Sequence, residues 1–304
     1  MKPDTADTGK NPDLTIGITT YNNPDPLKET LEDIINQTYK NSKIIIGDNC
    51  SNDDRTQEIA SGFANNDQRM EYVRHPENLG YFANLSYLIK RADTEYFMWA
   101  ADDDRYNPQY IEKCIDTLND NPEYGLVFTR FRTYSPQDRI WIFLNHNLYL
   151  RSRYKKTIFL LLDEGLTHKA NMLYGVWRTE VIQKVLDRCA EYGVHQEHIG
   201  HGFDNAFLTV AVGLTGVYQI QEKLFTKRYL DRNIPGSLKS YAVGFAYNCY
   251  SFIKNPVRYI KNMYVSVGKQ MELVESVYDE KKTIKVRLVL FTKKMLHIFF
   301  RFVI

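Results

Sequence analysis

Three consecutive carboxylates, Asp102-Asp103-Asp104, follow the apolar run Tyr96–Ala100, and a fourth, Asp48, closes the Ile-rich run Lys43–Gly47. A third polar turn, Thr20-Tyr21-Asn22-Asn23-Pro24, follows the β-branched run Leu14–Thr19. Hard oxygen donors gathered in this way suit a divalent cation or a bound nucleotide. One such loop would mean little, because Asp and Asn populate turns for local reasons. Three of them, each at the end of a strand-like run, point to a site.

The elements that must hold these residues alternate in kind. Leu27, Leu31, Ile34 and Ile35 recur at helical spacing after the first turn. Asp53 or Asp54 is placed to cap a helix after the Asp48 loop. Met70–Val73 reads as a strand, Tyr81–Ala92 as a helix and Tyr96–Ala100 as a strand. Pro108–Asn119 reads as a helix with proline in its first turn, and Leu126–Arg130 as a further strand. This alternation predicts βαβ units, an α/β fold with a mainly parallel central sheet flanked by helices. Ligands of such sheets lie beyond the carboxyl ends of the strands, where the polar turns fall.

Composition narrows the function classes. The 304 residues include 39 Lys and Arg against 37 Asp and Glu, a formal net charge of +2. Seven of the basic residues and none of the acidic ones lie in 281–304, so residues 1–280 hold the other 32 against all 37 acids, a net of −5. An acidic body excludes a general nucleic-acid binder, and 43% hydrophobic residues exclude global disorder. The four cysteines, Cys50, Cys114, Cys189 and Cys249, form no CxxC pair, which fits a reducing cytosol better than a zinc site or a disulfide scaffold. No GxGxxG follows the first strand and no GxxxxGK[ST] occurs, against a Rossmann oxidoreductase or a P-loop enzyme. No uncharged apolar run is long enough for a transmembrane helix.

In order and spacing, several segments resemble the inverting family 2 glycosyltransferases of GT-A fold, of the bacterial surface-glycan type. They are Ile18-Thr19-Thr20-Tyr21-Asn22, Leu27 to Tyr39, Ile45 to Asp53, Asn78-Leu79-Gly80 and Asp102-Asp103-Asp104. The match is close over 13–130 and looser over 165–240. It implies a glycosyltransferase domain over 13–237, with a donor half at 13–130 and an acceptor half at 131–237. Residues 1–12 are expected to be a flexible terminus, and 238–304 a helical appendage.

The resemblance implies roles for particular residues. Thr20 and Tyr21 would cradle a nucleotide, and Asp48 would bond its base, commonly uracil. Asn78, Gly80 and Asn84 would line the donor site, although Gly80 also suits a turn for conformational reasons alone. The family D-x-D falls on Ala101-x-Asp103, with Asp102-x-Asp104 a competing register, so Asp103 and Asp104 are the expected ligands of Mg²⁺ or Mn²⁺ and Asp102 a donor contact. Arg228 or Arg232 would neutralise diphosphate charge, and Leu230 stands where the family often has a histidine. Asp204 matches the catalytic base that deprotonates the acceptor, with Phe203 in place of the usual acidic neighbour. Trp177 and His201 are acceptor candidates, Trp177 fitting a core role equally well.

The appendage has a pattern of its own. Ile284, Leu288, Phe291, Met295, Ile298 and Phe302 form one helical stripe, with Arg287, Lys293, Lys294 and Arg301 on the remaining face. A basic amphipathic helix of this kind suits an anionic membrane surface; packing on the body or on a second copy of the chain is the alternative. Together with the resemblance, this predicts a peripheral enzyme on the cytoplasmic face of the cell membrane. The expected substrates are a nucleotide-sugar donor, with UDP-sugars favoured, and a saccharide or lipid-linked saccharide acceptor. A nucleotidyltransferase is the first rival, although Thr20–Pro26 lacks the Gly, Lys and Arg that it would need. A non-catalytic membrane-associated binding module is the second.

Overall fold

The computed structural model describes residues 11–134, 141–144, 169–191 and 203–228. Strand β1 (Leu14–Thr20) leads into helix α1 (Pro24–Ile35), followed by β2 (Ser42–Asp48), α2 (Asp54–Asn66), β3 (Met70–Arg74), α3 (Tyr81–Lys90) and β4 (Tyr96–Ala101). Then come β5 (Arg105–Tyr106), α4 (Tyr110–Asp120), β6 (Tyr124–Tyr134), β7 (Trp141–Leu144), a 3-10 turn (Lys169–Tyr174) and β8 (Val176–Arg178). The last described elements are α5 (Thr179–Glu191), α6 (Phe203–Leu214) and β9 (Gly216–Arg228).

Local sequence explains most of these elements. β4 is buried at every position, which a strand covered on both faces requires. α1 buries Leu27, Thr30, Leu31 and Ile34, one stripe at steps of three and four, and tolerates its early prolines because first-turn N–H groups have no helical acceptor. The Asp53 carboxylate accepts the Arg55 N–H at 2.9 Å and so caps α2. α4 begins at Tyr110, with Gln109 as its cap, so Pro108 lies just outside the helix that was expected to include it.

The strand order is β3-β2-β1-β4-β8-β6-β9-β5, with β7 on β6. β1 to β4 are mutually parallel, and β4–β8, β6–β8, β6–β7 and β5–β9 are antiparallel. The chain builds outward from β1 through β2 to β3, then crosses to the other side of β1 for β4. That reversal opens a crevice at the carboxyl ends of β1 and β4. The register puts Thr20 opposite Asp48 and Thr19 opposite Ala101, so the polar loops all start at one level. Under one face of the sheet, Ile16, Ile18, Ile44, Ile46, Met98 and Ala100 pack with Leu27, Leu31, Cys114 and Leu118.

The chain divides into two compact units. One holds residues 1–144, 171–183 and 217–230, and the other 145–170, 184–216 and 231–304. They interleave along the sequence, because β8 and most of β9 return to the sheet of the first unit instead of joining a separate half that begins at 131. The appendage expected over 238–304 lies outside the described residues.

β8 also corrects one site expectation. Trp177 pairs with Phe97 and Leu126 in the middle of the sheet, is fully buried, and donates its indole N–H to the Leu173 carbonyl at 3.1 Å. Its ring presents no face on which a sugar could stack. Just before it, a Cβ on Gly175 would lie 2.6 Å from the Val127 carbonyl oxygen. Gly175→Ala is therefore expected to lower stability by roughly 2 kcal/mol, read as a reduced urea midpoint; an unchanged midpoint would contradict this close approach.

Candidate functional site

Asp48 organises one side of the crevice. It is fully buried; one oxygen accepts the Ser51 N–H at 2.8 Å and the Ser51 hydroxyl at 2.7 Å, and the other accepts the Tyr72 hydroxyl at 2.6 Å. Burial and that last bond raise the Tyr72 phenol well above its ordinary range. The expected base contact is thus turned inward, fixing the loop after β2 from below. Asn49 ties this loop to its neighbours: its N–H donates to Thr20 O at 3.0 Å, its side-chain amide to Asn78 Oδ1 at 2.8 Å, and its Oδ1 accepts the Leu79 N–H at 2.8 Å. Asn22, at φ 49°, accepts the Asn52 N–H at 2.9 Å and donates its own to Ser51 Oγ at 2.9 Å.

The loop after β3 is held in the same way. Gly80 sits at φ 81° and ψ 160°, a conformation that only glycine adopts cheaply, and donates its N–H to Asn78 Oδ1 at 2.9 Å. Asn84, expected on the donor site, is buried beneath it. Its amide donates to Gly47 O at 2.8 Å and its oxygen meets His75 Nε2 at 3.0 Å, which pins α3 to β2. Among the side chains that this rim leaves exposed are Asn78, Leu79, Tyr81 and, after β1, Tyr21.

The other side of the crevice is acidic. Thr20 Oγ1 donates to Asp102 Oδ2 at 2.7 Å across the β1–β4 gap. Burial pushes the Asp102 carboxyl up to about 6; the Asp103 charge adds to this, while bonds from Thr20 and Asn23 oppose it. Asp104 is fully buried, accepting the Arg228 N–H at 3.1 Å on one oxygen and meeting Lys227 Nζ at 3.0 Å on the other. Burial raises it to about 7 against the pull of Lys227. Asp103 is 27% exposed at its side chain and lies 3.3 Å from the same ammonium.

The Lys227 ammonium is the cation of this cluster. Burial disfavours its charge, but Asp104, Tyr174 and Asp103 hold it well above its ordinary pKa, and it lies 4.9 Å from the centre of the Tyr174 ring. The antiparallel register explains its arrival. Arg105 pairs with Thr226 and Tyr106 with Phe225, so one step further Asp104 faces Lys227 and two steps further Asp103 faces Arg228. Arg228 bonds Asp103 O through Nε and Glu29 through Nη1, while its buried Nη2 has no partner among the described residues. Arg105 forks onto Asp33 at 2.6 and 2.8 Å and reaches Glu29 at 2.8 Å, binding α1 to β5. Lys227, Glu29 and Arg105 were not among the sequence candidates. The available signal was two adjacent basic residues at a strand end in an acidic body.

A divalent cation fits part of this set. Asp104, expected as a ligand, is closed to solvent here and has both its oxygens engaged by Lys227 and the Arg228 N–H. Among the described residues, no group of three or more His, Cys, Asp or Glu side chains is arranged to hold a metal ion. A cation that bridges substrate phosphates needs only one or two carboxylates, and Asp103, with Asp102 beside it, meets that requirement. Asp204 lies in the first turn of α6, in the second unit. His201 and Arg232 fall outside the described residues.

The sequence model of glycosyl transferase family 2 matches residues 15–179, more than half of the chain. The chain belongs to that family. This family 2 chain is 36% identical over 107 residues to an uncharacterized glycosyltransferase of Rickettsia conorii, covering 35% of this chain and 17% of that one. It is 28% identical over 167 residues to one of Rickettsia bellii, covering 54% and 24%. It thus spans less than a quarter of either relative. A crystal structure of the S. aureus TarS fragment 1–349 superposes with a TM-score of 0.57 at 12% identity, covering 92% of this chain and 88% of that one. The same fragment with UDP-GlcNAc gives 0.54 at 13% identity, covering 72% and 59%. At such identities the likeness is one of fold, and the fold is GT-A.

The buried Asp104–Lys227 pair gives a direct prediction for this family 2 site. Asp104→Asn leaves the ammonium short of its main counter-charge and is expected to cost about 3 kcal/mol of stability, whereas adding Lys227→Met should recover at least half of it. Additive losses in a urea-denaturation double-mutant cycle would contradict the pairing.

Proposed function

We propose that this chain is an inverting glycosyltransferase that moves a sugar from a nucleotide-diphosphate sugar, with UDP-sugars favoured, to a saccharide or lipid-linked saccharide of a surface polysaccharide. The observation that carries the reading is the cluster Thr20, Asp102, Asp103, Lys227 and Arg228 at the β1–β4 switch point of a family 2 chain. The UDP and UDP-GlcNAc of the TarS crystal structures support the donor class. Tyr21 offers an exposed ring beside the crevice for the base. The buried Arg228 Nη2, without a partner among the described residues, suits a phosphate oxygen with lone pairs to accept its N–H.

Asp103, assisted by Asp102, would hold Mg²⁺ or Mn²⁺, which when bound supplies positive charge to the departing diphosphate. Asp204 takes the proton from the acceptor hydroxyl as that oxygen attacks the anomeric carbon from the face opposite the diphosphate. The basic amphipathic segment 281–304 brings the enzyme to an anionic membrane surface on the cytoplasmic side. Among the described residues no helix is long and apolar enough to cross a membrane.

The test is nucleoside diphosphate release by the purified full chain, across UDP-, GDP- and dTDP-sugars and a panel of saccharide and lipid-linked acceptors. Acceptor-dependent UDP release is expected. Asp204→Asn should lower kcat by about 100-fold or more while leaving UDP affinity within about threefold. Pyrophosphate release instead would make the chain a nucleotidyltransferase, and full activity of Asp204→Asn would remove the base assignment.

A further inference from the structure

We propose that Lys227 is a built-in counter-cation of the donor site, offsetting part of the charge of the Asp103–Asp104 pair so that the nucleoside diphosphate end of a donor binds without an added divalent ion. This rests on the donor reading above. A diphosphate entering a site with three contiguous carboxylates meets repulsion that something positive must offset. Lys227 Nζ stands 3.3 Å from Asp103 and 3.0 Å from Asp104, with its side chain only 14% exposed. At that burial a unit charge acts through a lower effective dielectric than water and is weakly screened by salt. The ammonium is also fixed in place, between the two carboxylates and the Tyr174 ring 4.9 Å away.

The fold keeps this cation at the site. Lys227 is the last residue but one of β9, whose pairing with β5 sets it across from Asp104, and the Arg228 N–H clamps the same carboxylate at 3.1 Å. Lys227 therefore acts on the donor through the aspartates, as a positioning residue. A divalent ion arriving at Asp103 adds charge to a site that already holds one cation. Removing Lys227 would make that second cation indispensable for binding, and would leave the carboxylates freer to take it.

The experiment is isothermal titration of the full chain with UDP, GDP and dTDP, in EDTA and in excess Mn²⁺, with electron paramagnetic resonance following Mn²⁺ binding to the protein alone. For the nucleotide that binds, the wild-type dissociation constant in EDTA should lie within about tenfold of that in Mn²⁺. Lys227→Met should weaken binding in EDTA by about tenfold or more, regain near wild-type affinity in Mn²⁺, and bind Mn²⁺ alone more tightly than wild type. Lys227→Arg should keep the metal-free binding. Wild-type binding that vanishes in EDTA but is present in Mn²⁺ would overturn the inference and leave the donor reading standing; so would an equal loss for Lys227→Met in both buffers. The wild-type comparison decides the matter even where Lys227→Met fails to fold. No binding of any of the three nucleotides in either buffer would overturn the donor reading, and this inference with it.

Discussion

A carboxylate without access to water must receive its partners from the protein, and Asp104 receives its partners from residues 123 and 124 positions later in the chain. Much of the site depends on that requirement. Asp104 lies at the turn between β4 and β5, so satisfying it brings the end of β9 to the carboxyl end of β4. Lys227 arrives with one contact and the Arg228 N–H with the other. Arg228 and Arg105 then reach Glu29, and Thr30 donates to Asp104 O at 2.9 Å, which locks α1 against the same turn. The acidic loop is thereby held by elements from both ends of the described chain, and the site forms only when the sheet is complete. Such long-range closure is costly in chain entropy, and a buried ion pair favours the one register in which no charge is left unpaired.

Much of the architecture was legible in the sequence because it depends on local pattern. The βαβ alternation, the Asp53 cap and the three polar strand ends follow from periodicity and capping chemistry. What periodicity does not carry is the direction of a polar side chain at a strand end. Asp48 and Asn84 sit at the expected places but face inward, where Ser51 and Tyr72 donate to Asp48 and Asn84 bonds His75 and the Gly47 carbonyl. Trp177 is a similar case: an amphipathic side chain suits either a sugar platform or a core, and only the pairing of β8 between β4 and β6 decides between them. Lys227 was hidden for a different reason. Its role comes from a two-residue strand, β5, too short to leave any periodic trace, paired with a partner more than a hundred residues away.

These inward-facing residues divide the labour in the crevice. Asp48, Asn49, Asn84 and Gly80 hold the loops after β2 and β3 rigid from beneath, which leaves Tyr21, Asn78, Leu79 and Tyr81 to face outward without being free to wander. On the opposite side Asp102 and Asp103 are partly exposed, while Asp104 is buried with both its oxygens bonded within the fold. A site preorganised in this way loses less entropy on binding, and Lys227 offsets part of the charge of its acidic loop.

The proposed donor reading requires that a nucleoside diphosphate occupy the crevice between the loops after β1 and β4. Hydrogen–deuterium exchange of the full chain with saturating UDP reads that occupancy segment by segment. Slowed exchange is expected in residues 20–23, 49–52, 102–105 and 226–228. Protection confined to the amino-terminal end of the sheet, around 92–95 and 178–183, with no change in those four segments, would contradict it.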